Sequence, residues 1–460
     1  MTVTDIDEGH QRGAAEDMPG PSADDVVALT VVDNAGVHRM KGVPARQWPS
    51  ALANGAGMSP TVALFTASGG IAARQGNSNA IGDLRLRPDG RMLRKLPSSD
   101  GWWWAPADMT EQNGRSFGGC SRTFLRHMVE RAENAGVQMM MAFELEWTVG
   151  SRDPQTGRWR PIHTGPGYGA HMPAAVFDQL RGIAADLDAV DCLPGQVHPE
   201  WADGQLEVSL PVRTPLRAAD EVVLARSIIK RQAELQGTEA SFAALSDLSQ
   251  AGNGAHAHFS LHTSDGSLMA GGVGTHGLHP VAEHFVAGVI EHLPALTAFG
   301  SPTPLSYLRL RPSAWSGGVY ACWGVENREA ALRIEGLHGP NTGKTVNVEW
   351  KTVDASANPY QVLGGVIAAG LDGVDRRLPL PSEIAVDPAS MTDEERSRAG
   401  LRCLPLTLDD AADALCADAA LRHAMGGRLH ESVVAVRRAD AEAARQLEPA
   451  ALLDRYRRTH

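Results

Sequence analysis

No stretch of this 460-residue sequence is apolar for long enough to cross a bilayer; segments such as VLGGVIAAGL stop well short of the roughly twenty residues that a spanning helix needs. Cysteine is scarce. The five present, Cys120, Cys192, Cys322, Cys403 and Cys416, are odd in number and show no C-x-x-C spacing, which excludes a disulfide framework and a cysteine-built zinc cage and indicates a reducing, cytoplasmic setting. No run of lysines or arginines offers a footprint for a phosphodiester backbone, and a formal charge of −12 repels one, so nucleic acid is excluded as a partner. The opening residues, MTVTDIDEGHQRGAAEDMPGPSADD, carry acids, glycines and prolines where an export signal needs an apolar core, so neither export nor a membrane is expected.

What is present is enough apolar material, 43% of residues, to build one large core and one small one. Residues 1–23 have little to bury and read as a disordered tail. From 24 to 105, β-prone runs (VVALTVVD, HRMKGVP, TVALF, DLRLRP) are punctuated by Asn34, Gly36, Pro60 and Asp89-Gly90, with one helical pattern around RQWPSALANG; a small strand-rich domain is expected. PSSDGWWWAPAD reads as a connection whose tryptophans pack at a domain or subunit contact. From 106 to 460, strands alternate with amphipathic helices. One is capped at Ser121 and stopped at Gly136; others are expected over about 216–235 and 280–299, one opens with Asn358-Pro359, and the chain is helical from about Leu408 onward.

Four strand-like stretches share one design. A strand sends residues i and i+2 to the same face, so Glu144 and Glu146 oppose Phe143, Leu145 and Trp147, and Gln205, Glu207 and Ser209 oppose Leu206, Val208 and Leu210. In the same way His256, His258 and Ser260 oppose Ala255, Ala257, Phe259 and Leu261, and Asn347, Glu349 and Lys351 oppose Val348, Trp350 and Thr352. A solvated sheet face favours Thr, Ser and mixed charge. These faces instead gather carboxylates and imidazoles that repel or titrate one another unless a cation neutralises them, and Glu200, in the loop before Glu207, adds a further oxygen. Such an oxygen-rich set suits Mg²⁺ or Mn²⁺, two ions being expected for so many ligands, and a paired-metal site is a common apparatus for phosphoryl transfer. Arg309, Arg311, Arg328 and Arg333 lie between the histidine strand and the Glu349 strand and supply anion partners, while the loop Ala251-Gly252-Asn253-Gly254 lets backbone approach a ligand closely.

FELEW, HPEWADGQLEVSL, GNGAHAHFSL, SYLRL, ENREAALRI and NVEWKTVDASANPY, in this order, resemble the catalytic domain of glutamine synthetases. The resemblance covers about 106–460, with 24–105 more loosely similar to the family's N-terminal β-grasp. It implies an α+β fold: a small β-grasp domain followed by a large catalytic domain with a curved antiparallel sheet flanked by helices. It implies one metal site on Glu146, Glu200 and Glu207 and a second on Glu144, His256 and Glu349. Gly252 and Arg309 then match glutamate-holding positions, His258 and Ser260 match nucleotide contacts, Arg328 and Arg333 match arginines on the transferring phosphate, and Lys351 stands where the family usually has a phosphate-contacting arginine. Two divalent ions, ATP as co-substrate, a γ-glutamyl phosphate intermediate and a dodecamer of two hexameric rings are implied with them.

Departures from the family pattern redirect the acceptor. Trp315, in RLRPSAWSGG, stands where true glutamine synthetases carry an ammonium-enclosing glutamate; GMSPTVALFTASGG offers no counterpart of their ammonium-gripping aspartate. Around LPLPSEIAVDP there is no tyrosine to serve as an adenylylation site. A glutamate–amine ligase follows, its acceptor a small organic monoamine walled by Trp315, ethanolamine foremost, with a polyamine as the alternative. A true glutamine synthetase and a catalytically silent scaffold are the remaining readings.

Overall fold

A computed structural model describes residues 20–73, 81–311, 318–338 and 345–460. Trp315, on which the sequence argument for the acceptor rests, lies outside the described residues. Among them, no helix is long and apolar enough to cross a membrane.

The alternating faces read from the sequence become two sheets. The first is six-stranded: His38–Pro44, Val26–Val32, Trp102–Glu111, Leu84–Pro88 and Ala56–Met58 in spatial order, with Arg94–Lys95 also paired to Trp102–Glu111. Two expectations fail here. The residues TVALF belong to a 3₁₀ turn, Pro60–Leu64, because Pro60 follows a serine whose hydroxyl caps the Thr61 amide and winds the chain up before it can extend. The expected connection PSSDGWWWAPAD contributes the central strand instead, Val26 pairing with Trp102 in parallel and Pro88 with Ala107 in antiparallel register. It is hard to recognise as a strand because both its faces are buried: Trp103 packs with Val27, Leu29 and Leu86, whereas Trp104 belongs to the large core with Phe124 and Leu125.

Among the described residues the second sheet has ten strands. Its main path runs Trp323–Val325, Leu332–Glu335, Asn347–Trp350, Ala255–Thr263, Gln138–Arg152, Gln205–Ser209, Gln196–Pro199, with antiparallel pairing throughout except between the first two. The apolar faces (Phe143, Leu145, Trp147; Leu206, Val208; Ala257, Phe259; Val348, Trp350) enter one core with the helices Ser121–Asn134, Pro215–Leu235, Pro280–Gly300 and Pro359–Arg376. Helix ends follow local chemistry. The Asn358 side chain accepts from the Tyr360 and Gln361 amides with Pro359 at the first turn, and Gly136 leaves the first of these helices at φ +76°. The cap of that first helix, expected at Ser121, sits one residue earlier at Cys120, because the Ser121 hydroxyl is engaged with Val32 O and with Asn358. Ala174–Asp188 and the C-terminal helices Leu408–Ala417, Ala419–Arg445 and Pro449–Thr459 complete the layer.

The two sheets are tied by buried polar contacts. The Arg122 guanidinium donates to Asp220 Oδ1 and Oδ2 at 2.9 and 2.8 Å on the helix Pro215–Leu235, to Asp108 at 3.1 Å on the central strand of the small sheet, and to Asp89 at 3.1 Å. The Tyr360 hydroxyl closes the remaining side of Asp220 at 2.7 Å. Asn358, Gln361 and Arg437 donate to the turn Asp33-Asn34 at 3.0, 2.8 and 2.6 Å. A buried pair broken on one side strands the other charge, so Arg122→Ala is expected to lower stability by about 3–5 kcal/mol. Arg91→Ala, which removes only an exposed partner of Asp89, should cost less than about 1 kcal/mol. Urea unfolding of the two variants side by side checks the contrast.

Candidate active site

Register brings the polar residues of six strands onto one face. Glu207 lies opposite Glu146 on one side and opposite His198 on the other; His256 lies opposite Glu144; His258 lies opposite Glu349, and Glu349 opposite Arg333. The result is a trough with carboxylates along its floor and cationic groups at its ends. Among the described residues, ligand atoms of Glu144, His258 and Glu349 all lie within 4.8 Å of one another.

At one end the carboxylates are well compensated. Glu349 accepts from the Lys351 ammonium at 2.9 Å and from Arg333 at 3.3 Å, and faces His256 Nδ1 at 3.1 Å. Lys351 is 2% exposed, a buried cation whose partner is this carboxylate. Burial works against the Glu349 charge, but His256 and Lys351 hold its carboxyl well below the usual range. Glu144 is likewise held low against its burial by His256 at 3.4 Å and His258 at 3.7 Å. Burial and Lys351 oppose a charged His256 ring; the Glu144 and Glu349 acceptors outweigh them and raise it to about 9.

At the other end compensation is weaker. Burial, with Glu207 adding to it, pushes Glu146 up to about 7 even though His256 and Arg309 oppose the shift. Its Oε2 accepts from the Gly254 amide at 2.8 Å and from Gln205 at 2.6 Å. The glycines of the loop are required by proximity: a Cβ at Gly254 would lie 2.7 Å from His256 Nε2 and 2.9 Å from Glu146 Oε1, and one at Gly252 2.9 Å from Arg309 Cδ. Glu207 meets His198 at 3.4 Å, a contact that raises the imidazole to about 9. Glu200, raised by burial, accepts at Oε2 from the Trp201 amide at 2.5 Å and takes a hydrogen bond from the Tyr168 hydroxyl.

This donor set fits divalent cations. Four buried or half-buried glutamates and two imidazoles on one face, one glutamate pushed toward neutrality by burial with Glu207 adding to it, form a site whose carboxylates a bound ion would neutralise. The remaining expected residues distribute as follows. Arg309 ends the short helix Ser306–Arg309 against Gly252 and Gly254, with a buried Nη1 that has no hydrogen-bond partner among the described residues. Arg333 sits at the edge of the trough, shared by Glu349, Glu326 at 2.7 Å and Glu335. Ser260 bonds His262 at 2.9 Å, further along the His258 strand. Arg328 is exposed on the turn between Trp323–Val325 and Leu332–Glu335. Sequence reasoning missed His198, Glu335 and Tyr168, and placed Gln205 on the polar face without giving it a role. His198 was detectable in principle, two residues before Glu200 and therefore on the same face; Tyr168 comes from a loop with no period to read.

The comparisons with known proteins agree with this geometry. Residues 118–456 match the family model described as glutamine synthetase, catalytic domain. A Streptomyces coelicolor protein named gamma-glutamylpolyamine synthetase GlnA3 is 41% identical over 432 residues, 94% of this chain and 92% of the relative. The glutamine synthetase of Halobacterium salinarum is 30% identical over 77% of this chain and 79% of its own length. Among solved structures, one described as a novel glutamine synthase homolog superposes with a TM-score of 0.84 at 30% identity, covering 96% of this chain and all of the other. A second, described as a GmaS/ADP complex, gives 0.80 at 28% identity over 93% and 96% of the two chains. With the catalytic-domain match spanning most of the sequence and the acidic trough in place, the chain belongs to the glutamine synthetase family and is a ligase of that family.

Proposed function

We propose that this protein joins the γ-carboxylate of glutamate to an amine nitrogen in an ATP-dependent reaction, and that the acceptor is a polyamine. The observation that carries the reading is the 41% identity to a gamma-glutamylpolyamine synthetase across nearly the whole of both chains. Ethanolamine, the acceptor favoured from the sequence, depended on Trp315 and has no comparable support; the polyamine alternative does.

In this reading the γ-phosphoryl group of ATP passes to a γ-carboxylate oxygen of glutamate, releasing ADP. The amine nitrogen then forms a bond to the acyl carbon, the C–O bond to phosphate breaks, and the nitrogen loses a proton. Glu146, Glu200 and Glu207 would hold one divalent ion and Glu144, His256 and Glu349 a second, with His258 also turned toward Glu144. Bound there, such ions supply charge neutralisation for the phosphoryl groups. Arg309, whose buried Nη1 beside Gly252 has no partner among the described residues, is placed to receive an anionic group of glutamate. Arg333 and Lys351 present cations at the Glu349 end, where phosphate charge develops, and His258 and Ser260 line the strand proposed to face the nucleotide. Arg328 would reach the phosphate from the turn. The proposed assembly is the dodecamer implied by the resemblance, and the proposed division of the chain is a small N-terminal and a large catalytic domain, the boundary expected at 105/106 shifting past Glu111 because the strand Trp102–Glu111 belongs whole to the first sheet.

Two outcomes follow. Mn²⁺ or Mg²⁺ should raise the melting temperature of the wild type, a ligand at a hundredfold over its Kd being worth about 2.7 kcal/mol. Glu207→Ala should abolish phosphate release and blunt that thermal shift without lowering the metal-free melting temperature, because it removes one of two facing carboxylates; differential scanning fluorimetry alongside the assay checks this. Separately, kcat/KM measured by phosphate release with saturating glutamate and ATP should be highest for spermidine or putrescine and at least about tenfold, or 1.4 kcal/mol, lower for ammonium. Ammonium as the best acceptor would identify a true glutamine synthetase.

A further inference from the structure

Outside the trough, basic side chains from three segments meet: His38 from the edge strand of the small sheet, Arg226 and Lys230 from the helix Pro215–Leu235, and His460 after the helix Pro449–Thr459. Arg226 is 4% exposed and His460 5%. The Arg226 guanidinium donates to Ala357 O at 3.1 Å, and its Nη1 lies 3.4 Å from His38 Nε2. Lys230 follows Arg226 by four residues and so shares its helix face. The charges of Arg226 and Lys230 are felt at both imidazoles, and that of Arg39 at His460. His38, Arg39 and Lys230 keep partial exposure, so the cluster opens to solvent on their side.

The acids around this cluster are engaged elsewhere. Asp33 is paired with Arg39 at 2.8 Å and Glu234 with Arg231 at 3.5 Å, while Asp354 accepts from the Ser356 amide at 2.9 Å. Among the described residues, no carboxylate forms an ion pair with Arg226 or Lys230; Asp354 and Glu234 act on them only from further away. Two buried nitrogens, Arg226 Nε and His460 Nε2, have no hydrogen-bond partner among the described residues. Burial brings Arg226 down to about 10. Burial and the Arg226 charge bring Lys230 down to about 8 and both imidazoles well below their ordinary range.

A guanidinium buried without a counter-charge is costly, and open donors of guanidinium, ammonium and imidazole type converging on one place are the reverse of the acidic trough. An oxyanion answers them, because its several oxygens accept from all of these groups at once. We propose that Arg226, Lys230, His38 and His460 form a binding site for phosphate, free or as a phosphomonoester, separate from the catalytic trough. Arg226 also holds Ala357 O, in the segment that carries Glu349 and Lys351, so an anion seated here ties the small sheet to that segment through one guanidinium. The site does not depend on which amine is the acceptor.

The test is a thermal titration of the metal-free full chain by differential scanning fluorimetry, with inorganic phosphate or glycerol 3-phosphate set against sodium chloride at matched ionic strength. The wild-type melting temperature should rise with phosphate beyond the chloride control, and Lys230→Met should need at least about tenfold more phosphate for the same rise. Lys230→Arg, which keeps the charge, should respond like the wild type. Arg333→Gln, which removes a cation from the trough, should keep the response. A rise with both ions admits phosphomonoesters and a rise with inorganic phosphate alone restricts the site to the free ion; either supports it. Without phosphate, Lys230→Met should melt no lower than the wild type, because it relieves repulsion. A marked fall there would make Lys230 a structural contact and overturn the proposal. So would a wild type that does not respond beyond chloride, an equal response in Lys230→Met, or a response abolished by Arg333→Gln, which would put the ion in the trough.

Discussion

Like charges packed on one face of a sheet set the terms for everything around them. Two carboxylates 4 Å apart repel by about 1 kcal/mol in water and by several times that in a medium of intermediate polarity. Glu144, Glu146, Glu207 and Glu349 share one trough, three of them buried. The surrounding structure answers that repulsion locally. Lys351 is buried beside Glu349, Arg333 is shared among three acids, two imidazoles are interleaved with the glutamates, and a glycine amide is brought against Glu146 where any side chain would collide. The answer is uneven, complete at the Glu349 end and partial at Glu146. A site left with surplus negative charge at one end is prepared for a cation.

The part of this arrangement visible in the sequence is the part governed by period two. Glu144 and Glu146, His256 and His258, and Asn347 and Glu349 could be assigned to one face because alternation determines it, and the apolar partners Phe143, Leu145, Phe259 and Val348 do enter the core opposite. Caps and stops such as Asn358-Pro359 and Gly136 were legible for equally local reasons. What could not be read were the contacts between distant segments. Nothing in the sequence around Tyr168 announces that its loop folds over Glu200, and the pairing of His198 with Glu207 depends on a hairpin whose register is visible only in three dimensions. WWWAPADMTE defeated pattern reading for a different reason: a strand buried on both faces shows no alternation at all.

The join between the two sheets bears on the trough as well. Arg122 and the Asn358, Gln361 and Arg437 side chains clamp the small sheet to the helices beneath the catalytic sheet, and Tyr360, from the helix that Asn358 caps, completes the Asp220 pair. The NVEWKTVDASANPY segment thus carries Glu349 and Lys351 at one end and the inter-sheet clamp at the other, within a dozen or so residues of chain. Displacing the small sheet would pull on the same segment that supplies the best-compensated carboxylate.

The central position of Trp102–Glu111 in the first sheet also bears on synthesis. Val26–Val32 and His38–Pro44 can pair as a hairpin as soon as they leave the ribosome, but the other edge of Val26–Val32 waits for Trp102–Pro106 to arrive much later in the chain. During that interval an apolar strand presents open backbone hydrogen-bonding groups, the condition under which nascent chains pair with one another instead of with themselves. The hazard ends only when the three tryptophans emerge, and because Trp104 packs into the second core, the first sheet reaches its final packing only once the helix that carries Phe124 and Leu125 has also been made.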